Sequence, residues 1–238
     1  MIPDGVEYID GEAFRGCTYL RDIEIGAGVE VIGEMAFANC TQLTSLTVPE
    51  GVETIGSCAF SNCWRMLSVK LPLSLESIGE NMFASCSSLV GVSVPTSRFT
   101  MNQLFGARSG SITSAVIVEG ESVMCTNAFA NCTSMETVDI PNGVTNIQTE
   151  AFRNCTQLRD VSLPETLEVI GEQAFYGCSM LSAIVMPDSV REVGNGVFRG
   201  CAALNSVTLS RNLAEVPDYA FYGCKNIVSI VVHTPATT

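Results

Sequence analysis

The chain has one histidine, His233, close to its C-terminal end. A single terminal imidazole leaves no plausible Ser-His-Asp set and argues against a histidine metal site. No G-x-G-x-x-G loop is present, so dinucleotide and phosphate chemistry loses its usual cradle. No C-x2-C pair is present either, which argues against zinc. Basic residues are few: 12 Lys and Arg stand against 25 Asp and Glu, for a net charge of −13. Nucleic acid is thereby disfavoured as a partner, because it needs a basic face to neutralise phosphate. An anionic membrane surface is disfavoured for the same reason. No apolar run reaches about 18 residues, so no membrane span is expected. Met1 to Gly5 has neither a basic region nor an apolar stretch, and does not read as a signal peptide. The acidity serves solubility or attraction to basic partners.

What the chain does have is a period. Ile55-Gly56-Ser57-Cys58-Ala59-Phe60-Ser61-Asn62-Cys63 repeats along its length, with an aliphatic residue, often Gly, then Ala-Phe and a Cys three residues later. Ten units of 23 residues start at Ile2, Ile25, Val48, Leu71, Val94, Ile117, Ile140, Leu163, Met186 and Leu209 and fill residues 2–231. Residues 232–238 have linker composition. A fixed period of this length marks a solenoid, in which each unit buries its apolar side only against its neighbours.

Within a unit, a short segment alternating with period two, such as Leu20-x-x-Ile23-x-Ile25, reads as a strand. Pro-x-Gly then turns the chain. An extended Val-x-x-Ile return leads to one short helical or 3-10 turn carrying Ala-Phe. The aligned phenylalanines, from Phe14 through Phe60 to Phe221, are expected to form a spine. Nine of the 11 cysteines occupy one repeat position, from Cys17 to Cys224, and read as reduced buried rungs. Cys58 and Cys125 lie off that ladder and are the more reactive candidates.

The unit at 94–116 departs from the pattern. Phe105 comes one place early, Ser109 replaces the cysteine and Arg98 takes an aliphatic slot. Either the coil has drifted, or a local bulge presents Phe99, Met101 or Arg108 to a ligand.

With the core fixed, function falls to outward positions. The strand positions are mostly Ser, Thr and Val, a smooth face that either accepts an extended chain or glycan or is simply solvated. Acidic spots lie at Asp22 and Glu24 and at Asp139 and Asp160, and Lys70 is basic. Trp64, the one tryptophan, neighbours Leu67 and Val90, which share a register outside the core pattern. The three read as an exposed apolar patch of the sort that marks contacts. Asn39, Asn131 and Asn154 each begin an Asn-Cys-Thr sequon, a candidate glycosylation site in a secreting eukaryote. The repeat also favours Asn there as a local cap.

The segment L-x-x-L-x-L, as in Leu181-x-x-Ile184-x-Met186, together with Ile-Gly-x-x-Ala-Phe-x-x-Cys, resembles the BspA-type (Treponema pallidum-type) leucine-rich repeat. The resemblance covers residues 2–231 as one domain, although the usual asparagine ladder after the strand is missing. It implies a strand-rich, right-handed leucine-rich-repeat solenoid with a parallel concave sheet and short helical or 3-10 turns on the convex side. It also implies a surface or secreted protein, associated with adhesion to host, matrix or cell-surface proteins; the missing catalytic motifs and scattered carboxylates argue separately against an enzyme, and no cofactor is expected. Two other readings stand beside that one: a structural spacer assembling end to end or edge to edge through uncapped coils, and a carbohydrate-binding module.

Overall fold

The computed structural model describes residues 1–232. His233 and the rest of the expected tail lie outside the described residues. The chain divides into two compact units, residues 1–118 and 119–238. By the repeat starts, each unit holds five coils.

In the first unit the elements are β1 (Tyr8–Ile9), β2 (Val31–Ile32), β3 (Ser45–Thr47), β4 (Thr54–Ile55), β5 (Ser68–Lys70), β6 (Ser77–Ile78), β7 (Gly91–Val94), α1 (Met101–Phe105), a 3-10 turn over Gly106–Ser111 and β8 (Ser114–Ile117). They form two parallel sheets. One is the two-residue ladder β1-β2-β4-β6, and the other is the long-strand face β3-β5-β7-β8. Partners are one period apart, as in Leu46 opposite Val69 and Val69 opposite Val92. Because side chains alternate along a strand, Leu46, Val69 and Val92 all point into the core while Ser45, Thr47, Ser68 and Lys70 point to solvent.

The second unit contains β9 (Val123–Met124), β10 (Thr137–Asp139), β11 (Asn146–Ile147), β12 (Val169–Ile170), β13 (Ala183–Val185), β14 (Glu192–Val193), β15 (Ser206–Leu209) and β16 (Ser229–Val232). Its short ladder β9-β11-β12-β14 is continuous. On its long-strand face β13, β15 and β16 pair in turn. Within the unit β10 pairs with no other strand, and residues 160–162 form no strand at all.

The segment carrying Ala-Phe is a pair of tight turns rather than a helix. Met35 and Asn39 bracket it with φ of 53° and 62°, and Cys58 and Asn62 do the same in the next coil at 55° and 59°. Asn tolerates this left-handed region better than other side chains with a Cβ, which explains the Asn or Gly before most ladder cysteines. Alternate amides close i−3 turns within the coil and bond the next coil: Ala36 and Cys40 bond Gly33 and Phe37, whereas Phe37 bonds Ala59. Both roles are filled without helical hydrogen bonding, so the turn stays as thin as a strand. Gly56 follows Ile55 because a Cβ there would lie 2.5 Å from the amide nitrogen of Glu34 in the preceding coil.

The phenylalanines stack in each unit. Centroids are 5.0 Å apart for Phe14 and Phe37, 5.3 Å for Phe37 and Phe60, and 5.2 Å for Phe129 and Phe152, with interplanar angles of 6°, 5° and 3°. The irregular coil holds the single α-helix of the described residues. Thr100 accepts a hydrogen bond from the Gln103 amide, and the Gln103 side chain accepts one from the Thr100 amide, a capping box. The helix advances the ring by one residue and still seats Phe105 against Phe83, at 5.3 Å and a tilt of 32°. Length and spine are therefore kept while the Ala-Phe turn is replaced.

Candidate functional site

Of the nine ladder cysteines, seven are buried as expected, whereas Cys224 is half-buried and Cys17 is exposed. Within each unit, buried thiols reach the carbonyl of the phenylalanine in the coil before: Cys63 donates to Phe37 at 3.4 Å, Cys86 to Phe60 at 3.2 Å and Cys178 to Phe152 at 3.1 Å. All 11 cysteines are free. Burial pushes the thiol of Cys40 up to about 11 and those of Cys132 and Cys178 up to about 12, which suppresses the reactive thiolate. Off the ladder, Cys58 and Cys125 are half-buried, and burial raises the Cys125 thiol as well.

The irregular coil does not present the side chains expected of it. Phe99 and Met101 are buried with Leu104 and Phe105, because the helix turns its apolar face inward. Arg108 folds back and donates to the carbonyl of Ser87 at 2.9 Å. Arg98 stays exposed and pairs with Glu76 at 3.3 Å, an arrangement of little energetic consequence in water.

The three sequons sit on a side-chain ladder. Asn62 donates to Asn39 at 3.0 Å, and Asn154 donates to Asn131 at 3.0 Å. The amide nitrogen of Asn154 is thus engaged, while Asn39 and Asn131 act as acceptors there.

Two surface features remain. The first lies in the first unit. Trp64 and Leu67 are each 55% exposed and Val90 is 41% exposed. The amide of Val90 donates to the carbonyl of Leu67 at 3.1 Å, so the two side chains stand side by side on neighbouring coils. A shallow hollow of ≈490 Å³ adjoins Leu67 and is bordered by Arg21, Gln42, Thr44, Arg65 and Ser88. Arg65 donates to Gln42, which holds one guanidinium at the rim. Lys70 projects to solvent at the end of β5.

The second feature is acidic. Asp22 and Glu24 border a hollow of ≈280 Å³ with Ser45 and Thr47. Asp160 borders one of ≈420 Å³ and Asp139 one of ≈680 Å³. At each of these places the long-strand face lacks its ladder: residues 22–24, like 160–162, form no strand. The sequence points to the acidic residues but not to this opening of the sheet. Among the described residues no group of three or more His, Cys, Asp or Glu is arranged to hold a metal ion. Among the described residues no helix is long and apolar enough to cross a membrane.

Comparison with known proteins agrees with the geometry. The chain matches the BspA type leucine rich repeat region over residues 1–118 and 122–238. Among solved structures it is similar to a leucine-rich repeat protein from Bacteroides ovatus, with 24% identity and a TM-score of 0.51 over 98% of this chain and 77% of that one. It is also similar to a leucine rich cell surface protein from Faecalibacterium prausnitzii, with 22% identity and a TM-score of 0.51 over 98% and 78%. No curated protein matches. Parallel coils of one period, a stacked phenylalanine spine and a match in both units lead to one assignment: the chain belongs to the BspA-type leucine-rich repeat family.

Proposed function

We infer that the chain is a non-enzymatic protein-binding module of a cell-surface or secreted protein, adhesin-like in its use of host, matrix or cell-surface partners. The observation that carries this reading is the exposed apolar triad of Trp64, Leu67 and Val90. Three large exposed apolar side chains, two of them (Leu67 and Val90) in register on neighbouring coils of a rigid stack, offer a contact core at little ordering cost. Exposed tryptophan is the residue type most enriched at binding hot spots. The cations Arg21 and Arg65 border the hollow at Leu67 in a chain of net charge −13, and Lys70 is exposed on the same coil, so the partner presents an apolar spot flanked by acidic groups. The similar F. prausnitzii protein is described as a cell surface protein, which supports the location.

Immobilised matrix and host-surface proteins, tested by biolayer interferometry, check the reading. At least one should be retained. Trp64→Ala should weaken it by roughly 30-fold, about 2 kcal/mol, with an unchanged circular dichroism spectrum. Lys70→Glu should slow association and flatten its salt dependence. Retention of none, or equal binding by Trp64→Ala, counts against it.

A further inference from the structure

The long-strand face of the second unit opens on both sides of residues 160–163. No backbone hydrogen bond joins those residues to β10 or to β13. Bonding resumes at the two ends of the opening. Arg159 donates to Glu136 at 3.4 Å and its carbonyl accepts from Ser182 at 3.1 Å, and further on Glu168 donates to Thr145 at 2.8 Å. On the opposite side of the same coils β11, β12 and β14 pair without interruption. The coil is therefore in place and one of its faces is parted.

Parting uncovers the core. Val161 and Leu163 are half-buried, whereas Ile184, Met186 and Val207, their counterparts in the next coils, are fully buried. Hollows of ≈420 and ≈680 Å³ flank the segment, both within the range of about 300–1,000 Å³ of ligand sites. Val161, Leu163 and Val185 line the smaller and Ile140 and Leu163 the larger, together with Asp139, Asp160, Glu165 and Glu119. None of these four carboxylates is in an ion pair among the described residues. Like charges on adjacent strands oppose close approach. Asp22, Glu24 and Asp160 lie on segments that form no strand, while β3, β5, β13 and β15, with Ser, Thr, Lys, Ala and Val outward, are paired.

We propose that this opening binds an extended peptide segment bearing lysine or arginine, whose backbone pairs with the free amides and carbonyls of residues 160–163. An extended backbone supplies the hydrogen bonds that the parted strands lack, as in strand addition. Its apolar side chains cover Val161 and Leu163. Its cations neutralise Asp139, Asp160 and Glu165. The surface is separate from the Trp64 patch and does not rest on it.

The probe is a fluorescein-labelled Lys-Val-Lys-Val-Lys peptide, followed by anisotropy at low salt. Controls are its Glu-for-Lys counterpart and the same lysine peptide with N-methylated backbone amides. The lysine peptide should bind, the acidic one should not, and N-methylation should weaken binding at least about tenfold. D160N/E165Q should weaken it by a similar factor, while Trp64→Ala should leave it unchanged. Amides 160–163 should exchange hydrogen faster than those of β13 and β15 in the free protein, and should slow when the peptide binds. Equal binding of the N-methylated peptide would reduce the effect to net charge and overturn the proposal. So would full binding by D160N/E165Q, or amides 160–163 already protected in the free protein. Binding of calcium in place of the peptide, removed by the same substitutions, would assign the opening to a cation instead.

Discussion

Every buried thiol in this chain except that of Cys132 has a definite neighbour. It donates to the carbonyl of the phenylalanine one coil back, and that carbonyl also receives the amide of the cysteine in its own coil: Phe37 accepts from Cys40 N–H at 3.2 Å and from the Cys63 thiol at 3.4 Å. Cysteine suits the place because it is as small as serine yet has a weakly polar donor that is comfortable among phenylalanine rings. The chemical consequence is inertness. At pH 8 iodoacetamide should modify the exposed Cys17 in the native protein, while Cys63, Cys86, Cys132, Cys155, Cys178 and Cys201 react only after denaturation; peptide mapping by mass spectrometry reads the outcome. A pH dependence follows with a fixed sign. The folded Cys132 and Cys178 thiols hold their protons up to about 12, against an ordinary value of 9.0. The unfolded chain loses them first as pH rises. The stability these thiols contribute is complete below about 9 and disappears between there and about 12. Urea midpoints measured across that window should fall, and Cys132→Ser should flatten the fall.

The strand and turn elements differ in how far the sequence revealed them. The period, the inward aliphatics and the phenylalanine spine were legible, because each side chain must meet its own kind one period away and any lapse would leave a hole. Gly51, with φ of 106°, sits where the Pro-led turn demands it. By sequence the Ala-Phe segment fits one short helical or 3-10 turn, with Phe and Cys three residues apart on its inward side. That spacing fits a helix and a double turn equally, and only the left-handed Met35 and Asn39 separate the two. The irregular coil was flagged by Phe105 and Ser109, but its content was not. The capping box Thr100 to Gln103 was the available sign of a helix start, and it explains why Phe99 is packed rather than displayed. Trp64, Leu67 and Val90 could be placed at the surface because they break the inward pattern. The opening at 160–163 could not be read, since Val161 and Leu163 obey that pattern and only the charges around them depart from it.

At the scale of a whole unit, each coil touches only the coil before and the coil after, so stability is close to a sum of coils and interfaces. Within the second unit the joining interactions recur at fixed steps. Phe175 stacks on Phe198 at 5.4 Å and Phe198 on Phe221 at 5.6 Å, and the thiols of Cys201 and Cys224 reach Phe175 and Phe198. Deleting residues 186–208, one full period, would bring Phe175 against Phe221 and Cys224 against the Phe175 carbonyl. Every inward residue keeps a like neighbour, and no strand changes register. The shortened chain should unfold cooperatively with the same far-ultraviolet spectrum per residue. Its Tm should fall by roughly 2–4 °C for each kcal/mol of lost interface. Deleting residues 186–207 instead leaves one residue over. An offset of one turns each following aliphatic outward and each polar residue inward. That variant should bind a hydrophobic dye and melt without a sharp transition. Equal behaviour of the two deletions, by calorimetry and dye binding, would mean that register is not what holds the coils together.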